Sequence, residues 1–339
     1  MLLSLSSKLV AERHSAKTHS LISTPTARHP PRGVFFFAHI SGIISTMIEV
    51  LIYVALVLFG ASLGSFAAAT VWRFRARQLS YDKKVGREYD KKEFAVLKQL
   101  LGKKTTEDRS QCLHCHKPLK WFELIPVVSW AVQGGKCRGC KKFIGWFEIL
   151  AEVGMAAFFV LSYALWPMAL TTPLEITHFI LWLIAGIVMA LIFAYDLKWF
   201  LIPDVLLAAM TILGIAVGSV VAFGSSDVWS VTSSVALSGV ALGGLYLALF
   251  YLSKGKWVGS GDGLLGVGLG FLLADWKLAL VALFMANFIG CLIVIPLMIA
   301  GKLKRNARVP FGPLLIAGTV VAWFFGNPII DWYMGGLGF

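Results

Sequence analysis

The chain has 339 residues, of which 58% are hydrophobic and only 14% are charged, and its formal net charge is +13. Its mean hydropathy of +0.76 excludes an ordinary soluble enzyme and indicates a polytopic membrane protein. Eighteen of the 31 Lys and Arg residues lie between Arg73 and Lys142, so the positive charge is concentrated in one region. Membrane topology explains that concentration, and we expect no nucleic-acid partner.

The first 46 residues differ from the rest of the chain. They are rich in Ser, Thr, His and Pro, and Glu12 is their only acid. A targeting segment is one interpretation. We favour another, in which translation starts at Met47 and residues 1–46 are an extension, disordered or loosely helical, without a role in the chemistry.

The first transmembrane helix is predicted within residues 47–72. It carries Gly60, Gly64 and Ser65, small residues that allow close helix packing in lipid. Residues 73–146 are polar and form a separate domain, in which a helix is expected from Lys91 to Leu101. The basic part of this domain is expected to lie near the anionic surface of the lipid bilayer.

Seven further apolar segments follow within residues 147–339, which predicts an all-α membrane protein of about eight transmembrane helices. They cover about 147–166, 174–195, 203–223, 230–253, 263–274, 278–300 and 311–326. The fifth segment is short, and we expect it to be tilted or partly re-entrant. Alternate threading places every Lys and Arg after residue 72, except Lys277, on one side, which the positive-inside rule assigns to the cytoplasm.

Two aspartates, Asp196 and Asp262, are predicted at the cytoplasmic ends of their spans. Asp262 ends a Gly-Ser-Gly-Asp run whose glycines let another backbone approach closely. Two complete spans separate the aspartates, so both return to the same side of the membrane. Such a carboxyl pair predicts aspartyl-protease chemistry, in which one carboxylate activates water and the other carboxyl protonates the leaving amine.

Simpler roles stay open for these acids. Asp262 precedes a helix and is a suitable N-cap, and Lys198 is close enough in sequence to pair with Asp196. Asp204, which follows Pro203, is predicted to cap the next helix and to take no part in catalysis. An Asp pair on the ion path of a transporter or channel is a further alternative, but it gives no reason for the cysteine-containing domain.

Four of the five cysteines form two Cys-x-x-Cys pairs, namely Cys112, Cys115, Cys137 and Cys140. This spacing is typical of a tetrahedral structural zinc site, and a cytoplasmic location disfavours disulfides. The neighbouring His114 and His116 are expected to stay outside a shell that four thiolates already fill. A redox dithiol is a weaker alternative, because it needs only one pair.

With these motifs in place, the chain resembles the bacterial type IV prepilin leader peptidase / N-methyltransferase family from Met47 to about Gly326. The Gly-x-Gly-Asp motif is shared more widely with intramembrane aspartyl proteases. The match is carried, in the family's order, by Gly60–Phe66, the cysteine region Cys112–Glu152, Asp196 with Ile202-Pro203-Asp204, Gly259–Asp262 and Pro310–Pro313.

The resemblance implies a bifunctional enzyme of the cell (inner) membrane. It implies that leader peptides of type IV prepilin or pseudopilin precursors are removed at the cytoplasmic face, after a glycine, and that the new N-terminus is methylated from S-adenosyl-L-methionine. Asp196 and Asp262 carry over as the catalytic pair, and the four cysteines carry over as zinc ligands. The resemblance leaves the residues that bind the methyl donor unassigned.

Several positions depart from the family pattern. The family's residues are Asn, Pro, Asn and an Arg-Tyr-Pro-like triplet where this chain has Ala68, Leu113, Leu124 and Phe147-Glu148-Ile149. All of them fall in the part that the resemblance associates with methyl transfer. An intramembrane aspartyl protease without methyl transfer is therefore the main alternative.

Overall fold

The computed structural model describes residues 32–101, 109–304 and 308–336. The chain divides into two compact units, Met1–Val57 and Leu58–Phe339. In the first unit, the described residues are helical. The second unit contains the aspartates, the four paired cysteines and all the later helices.

The described part of the chain is helical, and it contains isolated β-bridges but no strand. Seven of its helices are long and apolar enough to cross a membrane. One further apolar helix, Ser260–Leu273, is shorter, with 14 residues. The prediction of an all-α multi-pass membrane protein is confirmed. The helices are α1 (Arg32–Val85), α2 (Lys91–Leu97), α3 (Val128–Val132), α4 (Phe147–Ala164), α5 (Pro173–Trp199), α6 (Asp204–Phe223), α7 (Val228–Ser253, with a π turn at Val240–Gly244), α8 (Ser260–Leu273), α9 (Trp276–Ile299) and α10 (Gly312–Gly336).

Two helix boundaries differ from the sequence prediction in a way that matters for function. Helix α1 continues to Val85, beyond the apolar stretch, and its polar end carries Arg75, which pairs with Glu93 of α2 at 2.6 Å. Helix α5 continues to Trp199, so Asp196 lies inside its last turn and not in the following loop. Polar residues extend both helices because helix propagation requires no further apolar surface once the helix is formed.

Helices α1 and α4 approach each other closely at glycines. A Cβ added at Gly60 would lie 2.9 Å from the Cα of Ala156, and one added at Gly64 would lie 2.4 Å from the carbonyl oxygen of Ala151. Only a residue without a side chain fits at such distances. The close packing that these small residues predict is therefore present, and it fixes the segment of α1 around Gly60 and Gly64 against α4.

Helix α8 lies among α6, α7 and α10 and is rich in glycine. A Cβ at Gly266 would meet the Cα of Gly243 in α7 at 2.8 Å, and one at Gly268 would meet the backbone nitrogen of Thr211 in α6 at 3.1 Å. Leu265 is fully buried between these contacts. The position of α8 is thus tightly determined, and its N-terminus carries Asp262.

Candidate functional site

Asp196 is held in the last turn of α5 by a backbone donor from another helix. Its side chain is buried, and the N–H of Gly312 donates to its Oδ2 at 2.9 Å. Gly312 begins α10, and a Cβ at this position would lie only 2.9 Å from the same carboxylate oxygen. The glycine therefore lets the α10 backbone reach the carboxyl group.

Asp262 is the third residue of α8. Its Oδ2 accepts a hydrogen bond from the N–H of Gly259, the N-cap residue, at 3.2 Å. The N-cap position itself belongs to Gly259, but the carboxylate does satisfy one free donor of the helix start. A structural role at the helix N-terminus is therefore real for Asp262, and it leaves the other carboxyl oxygen without a bond to any described residue.

The two aspartates are brought together at one end of the helix bundle. Their carboxyl groups are close enough to repel each other electrostatically. Ile202, in the loop between α5 and α6, lies beside the starts of α8 and α10, because a Cβ at Gly261 would be 3.8 Å from its Cβ and one at Gly312 would be 3.4 Å from its Cδ1. The site is therefore built from the end of α5, the starts of α8 and α10, and the loop after α5.

The sequence prediction missed two polar residues beside this pair. Tyr246 of α7 is buried, interacts electrostatically with Asp262 and packs against Phe311 with ring centroids 4.9 Å apart and ring planes tilted by 58°. The side-chain amide of Asn287 in α9 donates to its hydroxyl at 2.8 Å. The signal in the sequence is Asn287, a carboxamide in the middle of an otherwise apolar span.

Two simpler roles considered for nearby residues are not seen. The ammonium of Lys198 does not pair with Asp196 but lies over the rings of Trp72 and Phe147, 3.7 and 3.6 Å from their centroids. The predicted cap at Asp204 is wrong, because Pro203 occupies the N-cap position of α6 and no side chain bonds to the helix start there. Asp204 instead lies in the first turn, where a carboxylate complements the helix dipole.

The four paired cysteines form a compact cluster. All their sulfur atoms lie within 4.8 Å of one another, and the Cys112–Cys140 and Cys115–Cys137 sulfur pairs are each 3.9 Å apart. Zinc–sulfur bonds of about 2.3 Å in a tetrahedron require sulfur atoms about 3.8 Å apart. The residues therefore fit a single tetrahedral metal ion with small side-chain shifts, and neither histidine belongs to the cluster.

The two Cys-x-x-Cys loops have the same backbone design. In each, the first cysteine's N–H bonds to a carbonyl five residues later, at 3.1 Å for Cys112 and 2.9 Å for Cys137. Backbone donors of Cys140 and Gly139 lower the pKa of the Cys137 thiol to about 7, whereas burial raises the pKa of Cys112 to about 12. Four thiolates at neutral pH thus require a bound cation.

A cavity of about 790 Å³ lies between the cysteine region and helices α1, α2 and α4. One buried oxygen on its wall, Oε2 of Glu148, has no hydrogen-bond partner among the described residues, and the other oxygen accepts from the indole of Trp72 at 3.3 Å. Most departures from the family pattern line this cavity: Ala68, Leu113, Leu124, Phe147 and Glu148. Its aromatic and acidic walls include Trp72, Trp130, Trp146, Glu93 and Glu152.

Glu152 connects the cavity wall to the start of the short helix α3. Its Oε2 accepts from the N–H of Val127 at 2.7 Å, and its side chain also bonds to Ser65 of α1. The three residues come from two segments of the predicted family motifs, Gly60–Phe66 and Cys112–Glu152. They fix the cysteine region onto α1 and the first part of α4.

Comparison with known proteins identifies the family. A family model described as Bacterial Peptidase A24 N-terminal domain matches residues 58–166. A protein of Legionella pneumophila named prepilin leader peptidase/N-methyltransferase is 31% identical over 230 residues, which cover 67% of this chain and 76% of that protein. The chain belongs to the prepilin leader peptidase/N-methyltransferase family.

Other members of the prepilin leader peptidase/N-methyltransferase family match over a similar share of the chain. A relative from Bacillus subtilis (strain 168) is 29% identical over 227 residues, covering 67% of this chain and 85% of its own length. One from Pseudomonas aeruginosa is 27% identical over 235 residues, covering 68% and 76%. No solved structure matches the chain. The resemblance read from the motifs is confirmed at the level of the family.

Proposed function

We propose that this chain is a prepilin leader peptidase and N-methyltransferase, and that Asp196 and Asp262 hydrolyse the leader peptide bond. The observation that carries the proposal is the convergence of the two carboxyl groups at one end of the bundle. Each has one oxygen held by a backbone N–H, from Gly312 and Gly259 respectively. The remaining oxygens are then available for water and substrate.

Hydrolysis follows from the behaviour of two close carboxyl groups. They cannot both be ionised at low cost, so they share one proton. The ionised group removes a proton from water as the water oxygen attacks the scissile carbonyl carbon. The protonated group donates its proton to the leaving nitrogen as the C–N bond breaks, and the pair is restored with the protonated and ionised roles exchanged.

The test is co-expression of the chain with a type IV prepilin or pseudopilin precursor. Leader removal, read as a shift on a gel, should occur with the wild type and should be lost with Asp196→Asn and with Asp262→Asn. Asp204→Asn is the matched control, because this aspartate lies in the first turn of the neighbouring α6 and should leave cleavage intact. Cleavage by either of the first two variants at the wild-type rate would refute the aspartyl mechanism.

We assign methyl transfer to the cavity beside the cysteine cluster. S-adenosyl-L-methionine would supply a methyl group on a positively charged sulfur. Oε2 of Glu148 accepts no hydrogen bond from a described residue and fits a donor on a cationic ligand, and the indole of Trp130 offers an aromatic surface for a base. Lys198 also lines the cavity, where it interacts electrostatically with Glu148 and covers one face of Trp72. The cavity volume of about 790 Å³ is within the range of small-molecule sites.

The mass of the mature pilin N-terminus separates this function from a peptidase without methyl transfer. Methylation by the wild type should increase the mass of the mature pilin by about 14 Da per methyl group, because each methyl group replaces one hydrogen. Glu148→Gln removes the charge that faces the cavity and should lower methylation on the order of tenfold, as expected for a lost charge-assisted contact. An unmodified N-terminus with the wild type would favour the peptidase alone.

The four cysteines are assigned as ligands of one structural zinc ion, which would hold together the two loops of the cysteine region. The cysteine region and the aspartates are assigned to the cytoplasmic side of the cell membrane, on the basis of the Lys and Arg distribution. A prepilin-type precursor would then present its leader on that side.

A further inference from the structure

Asn287 is a polar residue on a surface of α9 that otherwise suits lipid. It lies midway along the helix of 24 residues and is exposed. Phe284 and Cys291, three residues before and four residues after it, are exposed on the same side of the helix. The next residue, Phe288, is exposed as well. A carboxamide that faces hydrocarbon is costly, so such a residue indicates a function in a polar contact.

The hydrogen bonds of Asn287 leave one group free. Its Nδ2 donates to the hydroxyl of Tyr246 and to the carbonyl oxygen of Leu283, each at 2.8 Å. Both amide protons are therefore used, whereas Oδ1 accepts from no residue that the structure describes. An acceptor is thus presented on the exposed side of α9.

The hydrogen bond from Asn287 also determines the direction in which the hydroxyl group of Tyr246 can donate its proton. The tyrosine oxygen accepts from Asn287, so its O–H must donate in another direction. Its ring packs at a tilt against Phe311, whose neighbour Gly312 donates to Asp196, and its hydroxyl interacts electrostatically with Asp262. Tyr246 is therefore a donor placed between the aspartate pair and the exposed face of α9.

We propose that Tyr246 and Asn287 bind the extended peptide backbone of the substrate next to the scissile bond, and that the substrate's apolar segment lies along the exposed face of α9. This deepens the proposed peptidase function and rests on it. A peptide must be extended to be cut, which leaves its N–H and C=O groups unpaired in an apolar surrounding. The free proton of Tyr246 matches a peptide carbonyl, and Oδ1 of Asn287 matches a peptide N–H.

The kinetic test uses the purified full chain in lipid nanodiscs with a prepilin-type precursor. Tyr246→Phe should lower kcat/KM about tenfold, the effect of removing one hydrogen bond to the substrate backbone. Asn287→Leu, of similar size, should raise KM about tenfold, and Asn287→Gln should restore part of the loss because it keeps the amide. The control is Tyr251→Phe, which changes an exposed tyrosine in α7, the helix that contains Tyr246; it should behave as the wild type.

A purely structural role for the pair predicts a different pattern. Tyr246→Phe and Asn287→Leu would then lower the melting temperature with kcat and KM of the folded fraction unchanged. That result would overturn the proposal. If instead the Asp196→Asn and Asp262→Asn variants retain cleavage, the assignment of the aspartate pair as the catalytic groups fails, so the two failures are distinguishable.

The path of the substrate is tested by cross-linking through a cysteine that the chain already has. In the Asp262→Asn enzyme, a precursor with one cysteine in its apolar segment should form a disulfide with Cys291, four residues after Asn287, when an added copper(II) oxidant accepts the two electrons from the two thiols. The band should disappear with Cys291→Ser. Cross-linking to Ile212→Cys, an exposed position on α6, in place of Cys291 would show that the substrate lies elsewhere and would overturn the proposal.

Discussion

Single backbone donors set the geometry of both candidate catalytic aspartates. Asp196 receives the N–H of Gly312 and Asp262 receives that of Gly259, so the orientation of each carboxyl group depends on a glycine from the motif segments. A glycine is required at 312 in particular, because any side chain would enter the space of the carboxylate. The Pro-Phe-Gly-Pro motif thus has a direct physical role in the site.

Gly312→Ala should impair cleavage while leaving the fold intact. The added Cβ would lie 2.9 Å from Oδ2 of Asp196, so the carboxyl group must turn away from its present position. A displacement of this kind is expected to lower kcat on the order of 10- to 100-fold. The measurement is the rate of leader removal by the purified variant, with thermal unfolding as a check on the fold.

Gly335→Ala is the matched control in the same helix, because an added Cβ there meets nothing within 4 Å. It should cleave like the wild type. Full activity in Gly312→Ala would mean that the Gly312 hydrogen bond is not needed for catalysis.

The sequence singles out the two candidate catalytic aspartates but not the residues that surround them. Asp196 and Asp262 stand out because carboxylates are costly at the ends of apolar spans. Tyr246 carries no such signal, since a tyrosine in an apolar helix is common, and its relation to Asn287 depends on how α7 and α9 are rotated toward each other. That rotation is set by packing between helices distant in sequence, which a motif does not contain.

At the scale of elements, helix lengths follow the sequence more closely than helix neighbours do. The apolar segments predict α4 to α9 to within a few residues, because hydrocarbon thickness fixes the length of a span. The exceptions are the polar end of α1 that carries Arg75 and the end of α10, which continues to Gly336, beyond the predicted end at residue 326. The central position of α8 comes from glycine contacts on two of its faces, which only the packed structure reveals.

The two cysteine loops form the element whose stability should depend on metal. The purified protein should contain about one zinc ion per chain, by elemental analysis, since four sulfur atoms fit one tetrahedral ion. Cys137→Ser should lose the metal, while Cys291→Ser should keep it, because Cys291 lies in α9 outside the cluster. Zinc retained in Cys137→Ser would contradict the assignment.

Zinc binding should weaken as the pH falls. Protons compete with the metal for each thiolate, and the pKa of Cys137 is about 7 and that of Cys112 about 12 without metal. Binding therefore releases protons, and the number released rises as the pH drops through the pKa of Cys137. Competition with a zinc chelator at several pH values measures this; an affinity independent of pH would exclude thiolate ligation.

For the whole molecule, the distribution of charge and the order of the spans define two sides. Alternate threading places the cysteine region, the loop before α8 and the loop before α10 on one side, and those segments carry most of the Lys and Arg. The structure agrees that the starts of α8 and α10 lie at the same end as the last turn of α5. We expect this end to face the cytoplasm, because the positive-inside rule places Lys and Arg on that side.

The orientation is tested with two reporter cysteines in a Cys291→Ser background. Ser226 and Lys256 are exposed in the loops that precede and follow α7, so one helix separates them. A membrane-impermeant maleimide should label Ser226→Cys in intact cells and Lys256→Cys only after permeabilisation, because the basic loop is expected on the cytoplasmic side. Comparison with the same background lacking a reporter corrects for the four clustered cysteines. The reverse labelling pattern would place the aspartates on the outer side, where a leader that remains in the cytoplasm would not reach them.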